Sequence, residues 1–117
     1  MILHFCPRAD WEAALRMGTY TAPSLAAQGF LHCSSPEQVH IPANLLVRGR
    51  TDILLLVLDE AKLPKPVVWE DGDPPDPDGQ QFPHLYAPIP VAAVSAVHEW
   101  APEPDGSFRA PTHLLTR

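Results

Sequence analysis

Proline sets the tightest limit on what this chain can fold into. Of its 117 residues 15 are proline, and 11 of the 15 follow Leu63. A proline inside a helix removes a backbone donor and clashes with the preceding turn. The second half is therefore expected to be rich in extended segments and turns, with little long helix.

The first half carries both hydrophobic periods. Ile2 to Phe5 is short and apolar around His4, which predicts a strand. Trp11, Ala14 and Leu15, at i, i+3 and i+4, predict an amphipathic helix over Pro7 to Met17 that stops at Gly18. Pro23 to Gln28 reads as a short helical turn, and Phe30-Leu31 as a short buried strand. Ser35 and Gln38 have capping-box spacing, with Pro36 where a first helical residue falls. Pro42 is expected to divide that helix into a turn to about His40 and a piece over Pro42 to Val47. Ile53 to Leu58 is apolar on both faces, so it should be a central strand.

Beyond it, one helical turn at Glu60 to Leu63 leads to a strand at Val67 to Glu70. Asp71 to Gln81 holds four aspartates, three prolines and two glycines. It lacks the spacing and terminal Glu of a calcium loop, so a solvated, mobile loop is expected. Phe82 to Pro88 is extended, Pro90 to Val94 a small turn, and Ser95 to Trp100 alternates like a strand. Asp105-Gly106 predicts a hairpin-type turn followed by an edge strand or tail. The chain is accordingly divided into a main domain over residues 1–100 and a C-terminal extension over 101–117.

Composition narrows the class. A hydrophobic share of 45% and a charged share of 19% are globular values. The longest apolar run, Ile53 to Leu58, is too short to span a bilayer, and the start lacks a secretory leader's basic and long apolar regions. A soluble, cytoplasmic protein without a membrane partner is expected. The net charge of −6 argues against non-specific nucleic-acid binding, which needs clustered cations. Cys6 and Cys33 show neither Cys-x-x-Cys nor zinc spacing, so both are expected to be reduced and at least one buried.

Six histidines carry the possible chemistry: His4, His32, His40, His84, His98 and His113. His4, His32 and His84 lie in or beside expected strands and would meet if those strands are neighbours. A metal site could add Cys33 or Glu70, yet no pair has the spacing of a dedicated site, and no metal is expected. Cys33 and His84 could form a nucleophilic pair, although strand cysteines usually serve as small buried hydrophobes. A nucleotide-like ligand is a further reading. His4 and His32 would then donate to ribose or phosphate, Ser34 would add a hydroxyl, and Phe30, Trp69 or Tyr86 would stack on a flat ring. The last reading leaves each histidine satisfied structurally, and it is preferred for His40, His98 and His113.

Several motifs in one order carry a resemblance. Leu3-His4-Phe5, Arg8 to Leu15, Ala22-Pro23-Ser24-Leu25, Gly29 to Ser34, Glu37-Gln38-Val39 and Phe82 to Pro88 together resemble the DUF952 family of small bacterial proteins, over about Ile2 to Val97. The resemblance implies an α+β fold: a single domain with the split, mixed β-sheet of ADP-ribosyltransferases and short helices. It also implies that His4 meets the ribose of NAD and that His32-Cys33-Ser34 lines a nicotinamide pocket, similar to the His-x-Ser of RNA 2′-phosphotransferases. NAD would be the substrate or ligand, and the activity would be ADP-ribosyl or phosphate transfer. His32, His84 and Glu70 are the candidate catalytic residues, and His4, Phe30, Ser34 and Tyr86 the ligand-binding ones. Glu70 and Glu99 are the default candidates for the later-strand Glu of ADP-ribosyltransferases, which no position here clearly matches. The alternative is a non-enzymatic module that binds a small ligand or a protein.

Overall fold

In the computed structural model, which describes residues 1–115, the central apolar run is the middle strand of a three-stranded sheet. Strand β1 (Ile2–Pro7) is followed by α1 (Arg8–Met17), β2 (Thr19–Tyr20), α2 (Pro23–Gln28), β3 (Leu31–His32) and α3 (His40–Leu46). Then come β4 (Ile53–Leu58), β5 (Val68–Asp71), β6 (Gln81–Leu85), β7 (Ile89–Pro90), β8 (Val94–Glu99) and α4 (Thr112–Leu115). Single 3-10 turns at Glu60–Lys62 and Val91–Ala93 stand where helical turns were expected.

The first sheet runs β1-β4-β8, with β4 buried on both faces as its composition demands. Leu54, Leu56 and Leu58 face a core with Ile2, Cys6, Trp11, Leu31 and Leu85. Ile53 and Leu55 face a second core with Leu3, Val39, Ala43, Trp100 and Phe108. The other sheets run β3-β6-β5 and β2-β7. Every strand pair among the described residues is antiparallel, which corrects the expected mixed sheet. Parallel neighbours need a long crossover, usually a helix, and the prolines leave no such helix in the second half. The two larger sheets meet at one backbone bridge, where Leu3 and Ser34 exchange N–H···O bonds of 2.7 and 2.8 Å.

Two helices depart from expectation. Leu15 of α1 is exposed, and the helix packs through Trp11 and Ala14 alone. Helix α3 is one piece through Pro42, which occupies its first turn, where a missing N–H leaves no bond unmade. The capping-box spacing survives as a turn before the helix, in which the Ser35 N–H donates to Gln38 Oε1 at 3.1 Å.

Past β8 the expected turn forms, with Gly106 N–H donating to the Glu103 carbonyl. No strand follows among the described residues. The segment instead carries Phe108 and Leu114 into the second core, so the C-terminal extension packs as part of the globule. No helix among the described residues is long and apolar enough to cross a membrane.

Candidate functional site

The β3-β6-β5 sheet has two unlike faces, set by register. His32 pairs with His84, Val68 with His84, and Glu70 with Phe82, so these five side chains share one face. Leu31, Leu85, Pro83 and Trp69 take the other. Leu31 and Leu85 enter the core, while Trp69 lines a separate hollow of about 440 Å³ with Met1, Ile2 and Glu37. Trp69 is therefore turned away from the histidines, and its expected stacking role is corrected by the alternation of the strand.

Gly29 makes the entry to this face. It ends α2 at φ 88°, a left-handed conformation that glycine adopts without strain, with its N–H on the Leu25 carbonyl. The turn delivers Phe30 onto the His84 ring, with centroids 4.0 Å apart and planes 17° from parallel.

Each of the three histidines is held by a named partner. His4 Nδ1–H donates to the His32 carbonyl at 2.6 Å, and its Nε2 accepts from the Tyr20 hydroxyl at 2.9 Å. Burial pushes its pKa down to about 4, so the ring is neutral and both nitrogens are engaged. His32 Nε2–H donates to Gln28 Oε1 at 2.8 Å, and Gln28 Nε2 donates to Asp73 Oδ2 at 2.8 Å. Burial first, and the neighbouring His84 second, lower the His32 pKa. His84 Nδ1–H donates to Glu70 Oε1 at 2.8 Å, and the Tyr86 hydroxyl donates to the same oxygen at 2.6 Å. Those two bonds, the Tyr86 one first, hold the Glu70 carboxyl below its usual range, and the carboxylate raises the Tyr86 pKa in turn. His84 is 2% exposed, and its Nε2 is buried without a protein partner among the described residues.

A cleft of about 730 Å³ opens where β1 and the second sheet diverge. His4, Phe5, His32, Ser34, Phe82 and His84 line it from the strands, and Ile41, Pro42, Leu45 and Leu46 from α3. Residues 72–77 also line it, as do Tyr20, Ala22, Pro23, Ser24 and Gln28. The loop over residues 71–81 is mostly exposed, as expected of a solvated loop, and one side of it borders the cleft. Its prolines are apolar surface, and Gly72 lies so close that an added Cβ would sit 3.2 Å from the Phe82 ring. Of the seven candidate residues, His4, His32, Ser34 and His84 line the cleft. Glu70 and Phe30 instead pack against His84, Tyr86 packs against Phe30 and Glu70, and none of the three lines it, so direct ligand contact by them is not what this arrangement presents.

The other readings separate cleanly. Burial pushes the Cys33 thiol up to about 12, so it is no thiolate nucleophile for His84, and Cys6 is likewise buried and raised to about 12. No group of three or more metal-ligating side chains converges among the described residues. His40, His98 and His113 lie outside the cleft. His98 sets its ring against His113, while the buried Nδ1 of His40 has no partner among the described residues, so its expected structural satisfaction is not met. Tyr20, Gln28 and Asp73 complete the site without having been singled out, since none belongs to a motif.

A family model described as a protein of unknown function, DUF952, matches residues 5–97, which include every residue lining the cleft except His4. The chain belongs to the DUF952 family. This DUF952 chain is similar along nearly its whole length to CC0527 from Caulobacter crescentus, at 30% identity. A crystal structure of CC0527 and one of its double mutant give TM-scores of 0.83 and 0.82, covering 97% of each chain. Its solution NMR structure gives 0.78 over 99% of the DUF952 chain and 97% of CC0527. No curated protein matches.

Proposed function

We propose that this DUF952 protein binds an NAD-like nucleotide by its nicotinamide riboside end, and that the cleft supports ADP-ribosyl transfer. One observation carries the reading: His4, His32, Ser34 and His84, distant in sequence, line a single apolar-walled cleft at the seam of two sheets. Support for an ADP-ribosyltransferase-like variant of the fold comes from the histidine on the first strand and the His32-Cys33-Ser34 run that closes the cleft behind it.

In the transfer, the bond between ribose C1′ and the nicotinamide nitrogen breaks and neutral nicotinamide leaves. The acceptor oxygen bonds to C1′, and its proton passes to Nε2 of His84, whose Nδ1–H is fixed on Glu70. His32 orients the ribose, and His4 holds the His32 backbone in place through its carbonyl. The adenosine diphosphate half extends to the mouth, because no Lys or Arg lines the cleft among the described residues.

Melting curves with NAD and chromatographic assay of released nicotinamide test this. Expected are a raised Tm and a nicotinamide release that His32→Ala lowers roughly tenfold or more. The engagement of both His4 nitrogens within the protein, which leaves that ring no donor for a ribose, favours a second reading, a non-enzymatic small-ligand module, and a raised Tm without release would select it. Neither shift nor release would end the nucleotide reading.

A further inference from the structure

The geometry points to a ligand class that the cleft selects by charge and hydrogen bonding: a flat organic cation bearing N–H donors, of the amidinium or guanidinium kind. This rests on the cleft being the ligand site and does not require the ligand to be NAD.

The hydrogen-bond polarity of the floor is the first argument. A neutral imidazole has one N–H, and its partner decides which nitrogen carries it. His32 spends its N–H on Gln28, and the Nδ1–H of His84 goes to Glu70. His4 has both nitrogens occupied. What remains is the Nδ1 lone pair of His32, beside the Nε2 of His84 on a ring whose centroid is 5.4 Å away. That Nε2 is buried and unpartnered among the described residues, a polar atom whose lost hydration nothing in the protein replaces. A ligand that complements the His32 lone pair donates.

Charge gives the second argument. Asp73 and Asp76 lie on the loop that walls the cleft, and no Lys or Arg lines it among the described residues. Four of the chain's eight Lys and Arg residues are paired away from the cleft: Arg8 with Glu99, Arg48 with Asp105, Arg50 with Asp52 and Arg109 with Glu103. An anionic group would enter against carboxylates with nothing to neutralise it, whereas a cation meets attraction sharpened by the apolar walls.

The walls supply the third argument. Phe5, Phe82, Ile41 and Leu45 present apolar and aromatic surface, suited to a flat body and to cation–π contact. A bare divalent metal does not suit, since fewer than three ligating side chains converge among the described residues.

Benzamidine, benzamide and benzoate have one shape and charges of about +1, 0 and −1 near neutral pH, so they separate the contributions. Isothermal titration of the full chain with EDTA present should show benzamidine binding roughly tenfold or more tighter than benzamide, and benzoate not at all. Asp73→Asn and Asp76→Asn should each shrink the benzamidine advantage several-fold, about threefold or more, while leaving benzamide binding as it was. Two variants are used because each carboxylate also accepts an unrelated bond within the protein, Asp73 from Gln28 and Asp76 from the Gln80 N–H. Equal affinity for benzamidine and benzamide, preference for benzoate, no binding of any of the three, or an advantage untouched in both variants would each overturn the inference. If benzamidine binds as stated and NAD produces no melting shift, the nucleotide reading alone fails. If NAD binds and the cation preference is absent, this inference alone fails.

Discussion

His4 shows how much one side chain can be asked to do by its surroundings. Its ring is nearly fully buried, donates to the His32 carbonyl and accepts from Tyr20, and burial holds its pKa at about 4 against an ordinary 6.5. The unfolded chain therefore binds a proton between those values that the folded chain refuses, so stability is full above pH 6.5 and is lost as pH falls toward 4. The loss is up to about 3 kcal/mol. His32, lowered in the same direction, adds to it. Urea unfolding at pH 7 and pH 4.5 should reveal this slope, and His4→Gln should flatten it while lowering stability at pH 7 by about 1–3 kcal/mol. Cys6 and Cys33, both raised to about 12, should not react with Ellman's reagent in the native protein and should both react after denaturation. At this scale the sequence shows which residues to watch, since imidazoles on apolar strands stand out. It does not show their partners. Tyr20 lies 16 residues from His4, and Asp73 lies 45 from Gln28, separations at which no periodicity operates.

Among elements, strands were the more legible. β4 follows from six apolar residues in a row, and β8 from simple alternation. α3 is hard to read because Pro42 looks like a helix breaker until the start is known. With His40 as the first helical residue, Pro42 falls in the turn where it does no harm. The loop over residues 71–81 is mostly exposed, as its polar composition suggests; what composition does not show is that residues 72–77 border the cleft. The α2-to-β3 turn carries the sharpest element-scale expectation. Gly29→Ala places a Cβ at φ 88° and should cost about 1–2 kcal/mol of stability. Because the same turn seats Phe30 on His84, ring-current shifts of the His84 protons in NMR spectra should move toward random-coil values.

For the whole molecule, motif order marks a boundary near residue 100 that packing does not respect. Phe108 and Leu114 close the core behind Ile53, Leu55 and Trp100. Asn44 ties that segment down through both backbone groups of Phe108, at 2.7 and 3.0 Å. A chain ending at Trp100 should lose cooperative thermal unfolding, and Asn44→Ala should lower stability by about 1–3 kcal/mol in urea. Completeness of a core is a property of volume, and no pattern of residue types in one segment reports it. The two larger sheets, finally, share a single backbone bridge, Leu3 with Ser34, with the His4-to-His32 bond alongside. They are leaves that the backbone joins by that one stitch, while Leu31 and Leu85 of one leaf pack with Leu54 and Leu56 of the other, so parting them means opening the core they share. Deuterium uptake at the amides of Leu3 and Ser34 is thus a gauge of how often the gap widens, and any molecule wedged between the leaves should slow that exchange.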